Sequence, residues 1–538
     1  MKKNLILSAL LLAAITLPGR EILTNSRFSA VQPDGTPQDW SVAVRELIKD
    51  TSRKPEHPVQ CRENSLEFDT GTKCEVVCSQ VRIHPGLNAG KYRLTWQISG
   101  TPGGSFRVFI MYQINGKWQH TAPAYQPLPE TPREYQEFFE LPANIGNAYI
   151  SIAVRGSVKA RFSQLRLEPL EKKIKPADIA AIFNTAELFG KQQFVKAPAS
   201  TSDTEDLESI IFDSRPHNGK PSKIFAYIGY PATPMPEGGY PALVLSHGGL
   251  GTAYAKYARF WMKRGYAVIV PDLYGKRPEG NKSVPMEGGI YILDQWVIRS
   301  AEALTRAHSI LRSLPKVNKE KTGLIGISWG SVFSSVAAAV DHRFKAVAGV
   351  YGCGNWSSGN TSLIFTRWSN CTWDPKYFLP HIKTPFYMIN GTNDVNFGVE
   401  PWNDSTLQIK SLSTRTLVVE LPHNHDGFVN PGVIRFIDST LKDGTPLPVL
   451  GKCETDKGMV RAKILSPGKG AVRASLLYTC SRDRKLHKRQ WHEVPAKIGT
   501  DEVSARLPEG AVQFSLTLYD ESGDRFAPAG SSNVVSLE

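Results

Sequence analysis

Seven short apolar runs between residues 222 and 422 constrain this chain more than any other feature: "SKIFAYIGYP", "PALVLSHGG", "YAVIVPD", "GLIGIS", "AVAGVYG", "PFYMINGT" and "TLVVELP". Each is the length of a strand and lacks the polar alternation of a strand with one wet face, so each is expected to be buried on both faces. Helix-like stretches lie between several of them. "AYAKYARFWMKRG" and "YILDQWVIRSAEALTRAHSILRSL" show the clearest apolar repeat at three to four residues. Apolar strands alternating with helices predict an α/β layer over 205–445, a mostly parallel sheet with helices on both faces.

The chain of 538 residues is too long for one core, and ordinary domain sizes suggest about three units. Residues 21–170 read as all-β. "SLEFDT", "KYRLTWQIS", "SFRVFIMYQI", "AYISIAV" and "RFSQLRLEPL" are strand-like and separated by turn clusters such as "HPGLNAG" and "TPGG", a spacing that suggests a sandwich. A polar segment at 171–204 reads as a linker. Past residue 446, "MVRAKIL", "VRASLLYTC", "EVSARLP", "QFSLTLYD" and "NVVSLE" alternate apolar and polar positions. A small β-sandwich of the fibronectin or immunoglobulin sort is expected over 446–538.

At the N-terminus, two lysines precede about a dozen apolar residues and then Pro18 and Gly19, as in a secretory signal over 1–20 rather than a membrane span. The expected protein is secreted or periplasmic, with no stable membrane insertion after cleavage. Seven cysteines suit an oxidising compartment; Cys453 with Cys480 and Cys353 with Cys371 are candidate pairs, and Cys61, Cys74 and Cys78 leave one thiol over. No CxxC pair with a later Cys or His pair suggests a metal, and no cofactor is expected. The net charge of +14 favours an acidic partner such as a uronate-bearing or sulfated glycan, although a generally basic solvated surface explains it as well. The basic run "SRDRKLHKRQWH" carries no nucleic-acid signature.

Within the α/β segment, "GLIGISWGSVFSS" sets Ser328 between Gly326 and Gly330, after an apolar strand and before a small-residue run. A nucleophile on a strand-to-helix elbow needs that context; the competing reading makes Ser328 a helix N-cap. Upstream, "VLSHGGLGTAYAKY" ends a strand in His247, Gly248, Gly249 and Leu250. Backbone N–H groups of Gly249 or Leu250, with that of Trp329, would form an oxyanion hole, and His247 would hold the loop. Asp394 follows the strand "PFYMINGT", where it can orient an imidazole or simply form a turn. His423 and His425 follow "TLVVELP", before a helix expected at 431–441; either could shuttle the serine proton.

The order Ser, Asp, His, each on a loop after a strand, together with the HGG strand end, resembles the α/β-hydrolases. "HGGLGTAYAKY", "RGYAVIVPDLYG", "DQW", "GISWGS", "DHRFKAVAGVYGCG", "NGTNDVNF" and "LPHNHDG" are closest to secreted bacterial acetylxylan-esterase-like and dienelactone-hydrolase-like proteins, near the prolyl oligopeptidase catalytic domain. "ILTNSRFSAVQPDGTPQDW" and "IHPGLNAGKYRLTW" resemble jelly-roll modules attached to glycan-active enzymes, and the C-terminal sequence is similar to the small sandwich that often follows such hydrolases. Many relatives have a second glycine where Ser331 stands here. Because the catalytic His of dienelactone-type enzymes precedes "GF", the resemblance favours His425 over His423. It implies a serine carboxylic-ester hydrolase acting on an acylated glycan, acetate being the first acyl group expected. The alternatives are a prolyl-oligopeptidase-type peptidase and an inactive glycan-binding protein.

Overall fold

The computed structural model describes residues 23, 26–46, 58–71, 74–80, 90–114, 117–120, 125–141, 145–156, 158–169, 179, 182–197, 206–217, 220–275, 295–352, 354–356 and 374–537. The expected leader at 1–20 and the candidate pair Cys353 and Cys371 lie outside them. The chain forms two compact units, Met1–Leu170 and Glu171–Glu538.

The first unit is two antiparallel sheets. One runs in the order Trp40–Glu46, Cys74–Gln80, Ile145–Arg155, Ser105–Ile114, Lys117–His120, with Gln126–Pro127 beside Ser105–Ile114; the other runs Val59–Arg62, Ser65–Asp69, Lys159–Pro169, Gly90–Gly100, Arg133–Leu141. Alternation sets the inner face: Tyr92, Leu94, Trp96 and Ile98 are buried while the residues between them are not. The two inner faces meet where Phe106 packs edge-on against Tyr135 at 5.1 Å, with Trp96 stacked on the same ring. Cys61 and Cys78 are free thiols here, and burial pushes the Cys61 thiol up to about 11.

The second unit is built on a nine-stranded sheet. Its strands are β1 (Phe194–Lys196), β2 (Leu207–His217), β3 (Lys220–Gly229), β4 (Tyr240–Ser246), β5 (Ala267–Pro271), β6 (Val317–Ile327), β7 (Ala346–Val350), β8 (Phe386–Gly391) and β9 (Leu412–Val418), in the order β1-β2-β3-β5-β4-β6-β7-β8-β9. The three pairings at the β1 side, β1 with β2, β2 with β3 and β3 with β5, are antiparallel; from β5 through β4 to β9 every pairing is parallel. Helices α1 (Thr185–Phe189), α2 (Ala255–Lys263), α3 (Trp296–Ser313), α4 (Trp329–Val340), α5 (Val399–Gln408) and α6 (Pro431–Leu441) accompany it. Every residue of β4, β5, β7 and β8 is buried, which is what the seven apolar runs required. Ser246 pairs with Gly326 and Gly391 with Val418, so the carboxyl ends of β4, β6, β8 and β9 lie along one edge. Ligands in open α/β sheets bind outside such an edge.

Part of the segment expected to be a linker is folded onto this layer. Ile182, Phe183 and Leu188 are buried, Glu187 pairs with Arg306 of α3 at 2.7 Å, and β1 adds to β2. Three apolar side chains spaced along an otherwise polar stretch are enough to dock it.

Residues 449–536 form two further antiparallel sheets around a core that includes Val460, Leu476, Val503, Phe514 and Leu516. They are continuous with the α/β layer. Thr416 of β9 donates to the Ala529 carbonyl at 2.6 Å, and the Leu417 N–H donates to Ser531 Oγ at 3.1 Å. Gly530 packs so closely on Pro448 that a Cβ would lie 1.9 Å from its carbonyl oxygen. The candidate Cys453–Cys480 bridge is not formed: Cys453 is buried in the core and Cys480 is exposed, its thiol directed to the Glu509 carbonyl. The basic run is also partly structural, since Arg489 bonds Glu400 of α5 and Gln513.

Arg435 of α6 clamps the seam, donating to Asp520 at 2.8 Å and to Glu521 at 2.6 Å, with the Asp520 carboxylate fully buried. Removing one partner of a buried pair costs about 3–5 kcal/mol because the other charge is stranded. Arg435→Met should therefore lower the unfolding free energy read from urea titration by an amount in that range, and an unchanged free energy would show that Asp520 does not depend on Arg435.

Candidate active site

Ser328 joins β6 to α4 with φ 58° and ψ −120°, a strained backbone for a side chain larger than Gly. Its N–H donates to the Val350 carbonyl at 2.8 Å, which pins the turn to the end of β7. Although Ser328 occupies the N-cap position of α4, its side chain makes no capping bond. The hydroxyl is therefore not used as an N-cap.

Both flanking glycines are steric necessities. A Cβ on Gly330 would lie 2.1 Å from the Ser246 carbonyl oxygen at the end of β4, and one on Gly326 would lie 2.3 Å from the Gly330 carbonyl. Ser331 is fully buried, and its bulk is accommodated by Gly349 and Gly352, whose would-be Cβ atoms approach Ser331 Oγ to 2.6 and 2.2 Å. That hydroxyl has no hydrogen-bond partner among the described residues.

Past β4, the Gly251 N–H donates to the Gly248 carbonyl at 3.1 Å and Leu250 takes φ 58°, a tight turn with a left-handed third residue. His247 is fully buried and holds this turn, as expected. Its Nε2 accepts the Leu273 N–H at 2.8 Å, so Nδ1 carries the proton it gives to the Gly248 carbonyl at 2.7 Å. Gly248 lies directly over the elbow, its would-be Cβ 3.0 Å from Ser328 Cβ, and Gly249 faces the Trp329 ring. The turn and the start of α4 thus bring the backbones of Gly249, Leu250 and Trp329 to one cavity with Ser328.

Asp394 sits just past β8, buried, with Oδ1 accepting the N–H groups of Asn396 and Phe397 at 2.8 Å each. Its Oδ2 is 2.7 Å from His423 Nδ1. The His423 ring lies between Tyr351, at 4.6 Å and 24°, and Phe397, at 6.2 Å and 11°. Tyr351 donates to the Pro422 carbonyl at 2.7 Å, tying the next residue, His423, to the end of β7. Burial, and then the Asp394 carboxylate, push the Tyr351 phenol well above its usual range, so it stays a neutral donor.

The preference for His425 is corrected by this geometry. The chain turns into a short 3-10 helix at His425–Val429, with Asn424 capping the Asp426 N–H at 2.8 Å. That turn directs His425 to the other wall, where Nε2 accepts the Gly248 N–H at 3.3 Å and the ring packs on Tyr254 at 4.7 Å. His423 is the imidazole held by Asp394.

Ser328, His423 and His425 line one cavity of about 410 Å³ with Gly248, Gly249, Leu250, Trp329 and a neutral set of side chains, Tyr274, Asn396, Phe397 and Asn424. Tyr351 and Phe397 were not singled out in the sequence, although both lie inside motifs at strand ends, "AVAGVYG" and "NGTNDVNF". A second imidazole–carboxylate pair, His308 with Asp341 at 2.7 Å, is wholly buried and also bonded to Thr322, so it serves packing. Among the described residues no group of His, Cys, Asp or Glu side chains gathers to hold a metal ion, and no helix is long and apolar enough to cross a membrane.

Residues 224–435 match the dienelactone hydrolase family, so the chain carries a domain of that family. A curated relative, "Uncharacterized peptidase YuxL" of Bacillus subtilis (strain 168), is 22% identical over 212 residues, which is 36% of this chain and 32% of that protein's length. Solved structures with similarity include an acetyl xylan esterase from Paenibacillus sp. R4 (TM-score 0.39, 15% identity, 49% of this chain and 94% of that one) and Acetyl Xylan Esterase 1 from Thermoanaerobacterium sp. JW/SL YS485 (TM-score 0.37, 14% identity, 50% and 98%).

Two substitutions test the elbow. Ser331→Ala keeps the β-carbon and removes an unpaired buried hydroxyl, so the unfolding free energy read from urea titration should rise by roughly 1 kcal/mol; a fall would mean that the hydroxyl is bonded. Gly330→Ala should destabilise by at least about 1–3 kcal/mol, since its methyl has no room beside Ser246, and an unperturbed melting curve would refute the close approach.

Proposed function

We propose that the dienelactone hydrolase family domain at 224–435 is a serine carboxylic-ester hydrolase working through an acyl-enzyme. The observation that carries this reading is the Asp394–His423 pair opening into the same cavity as Ser328 on its strained elbow. With Nδ1–H given to Asp394, Nε2 of His423 is left as the base. Ser328 Oγ attacks the ester carbonyl carbon while its proton passes to His423. The resulting oxyanion is received by backbone N–H groups of Gly249 or Leu250 and of Trp329, each such donor being worth about 3 kcal/mol. Collapse breaks the bond to the alcohol, which leaves with the His423 proton. Water then attacks the acyl carbon, gives a proton to His423, and releases the acid and Ser328.

For the substrate, we read an acetyl ester on a polysaccharide or oligosaccharide, in a secreted or periplasmic protein. Support comes from the apolar leader-like N-terminus, the neutral aromatic and amide lining of the cavity, and the flanking β units, which we read as a jelly-roll module and a fibronectin- or immunoglobulin-like sandwich. The net charge of +14 favours an acidic glycan. A prolyl-oligopeptidase-type peptidase is the second reading, favoured by the curated relative's name. Against it, the N-terminal unit is two stacked antiparallel sheets rather than the radial blades of a propeller.

Ser328→Ala should abolish p-nitrophenyl acetate hydrolysis, and full activity in that variant would sink the assignment. His423→Ala should lose at least about 10³-fold in kcat, and Asp394→Asn about as much, whereas His425→Ala should lose less than His423→Ala. The reverse order would return the base to His425. Acetate release across a panel of acetylated glycans, run beside a proline-containing peptide, separates the esterase from the peptidase.

A further inference from the structure

Arg415 is a charged side chain for which the α/β fold supplies no counter-ion. It projects from β9 under α5, and its Nη1 donates to Thr406 Oγ1 at 2.6 Å. Thr406 gives its own proton to the Asn403 carbonyl at 2.7 Å, so it can only accept from Arg415. Among the described residues that is the one hydrogen bond of the guanidinium, and no carboxylate is paired with it. Burial alone brings Arg415 down to about 10. Arg415 is only half-buried, but even a cation taken partly out of water is favourably matched by an anion.

Arg415 opens onto a cavity of about 330 Å³ at the seam between β9, α5 and the C-terminal sheets. Its lining holds a second cation, Lys452, no acidic residue, and four leucines, of which Leu407 and Leu465 are 51% and 62% exposed. No residue of this lining is shared with the Ser328 cavity. A guanidinium fork in the lining selects a planar oxyanion, and large apolar side chains left in water in the same lining select a ligand with an apolar body.

We propose that this seam cavity binds an organic carboxylate, its head on Arg415 and its apolar body between Leu407 and Leu465. The site is independent of the esterase reading and is tested without any activity measurement. Titration calorimetry of the full chain with sodium benzoate, at constant ionic strength, should give saturable binding. Sodium sulfate, which has a head and no body, should bind at least tenfold more weakly. Arg415→Met should abolish benzoate binding, and Leu465→Ser, an exposed rim change that leaves the core intact, should weaken it at least tenfold. Loss in Leu465→Ser keeps the test decisive even where Arg415→Met folds poorly, and it separates this site from benzoate held near Ser328. The proposal is overturned by an absence of saturable benzoate binding, by binding unchanged in Leu465→Ser, or by sulfate binding as tightly as benzoate.

Discussion

The contact on which the candidate site depends is the approach of the first turn of α4 to the end of β4. At Gly330 the helix backbone comes so close to the Ser246 carbonyl that no side chain fits. That closeness fixes the elbow: Gly326 must also lack a side chain, Ser328 is driven to positive φ, and Gly248 is brought over the serine. The strain at Ser328, of order 1–3 kcal/mol for such a residue, is offset by its surroundings. Its N–H is bonded to Val350, and the strands on either side are buried throughout.

Much of this was legible in the sequence because it rests on periodicity and order. Fully apolar runs gave the buried strands, the expected helix at 431–441 is α6 at Pro431–Leu441, and Ser328 and Asp394 fall just past β6 and β8 as their motifs implied. What could not be read was direction. His423 and His425 are two residues apart, and only the 3-10 turn beginning at His425 sends one ring to Asp394 and the other to Gly248. Strands such as Arg133–Leu141 were also hidden, because "REYQEFFEL" is mostly charged or polar and buries only Phe138, Phe139 and Leu141. The docking of residues 182–197 and the separate fates of Cys453 and Cys480 depend on tertiary packing that no local pattern encodes.

The pocket histidines divide their work by hydrogen-bonding partner. His247 is locked between a carbonyl and an N–H, His423 between a carboxylate and the cavity, and His425 accepts from the backbone of the glycine turn. Their sequence neighbourhoods are alike in being glycine-, proline- or aspartate-rich. Their roles differ because each ring nitrogen can be a donor or an acceptor, and the partner decides which.

An edge strand of a parallel sheet is an open template for another chain, and β9 is such an edge. Its Leu417 N–H is satisfied by the Ser531 hydroxyl, a residue 114 positions further along the chain. During synthesis, then, the α/β layer emerges with one side unfinished and stays so until Ser531 has been made. The sheets of residues 449–536 in this sense cover the open edge of the α/β layer, and until they are made that edge is free to pair with another chain.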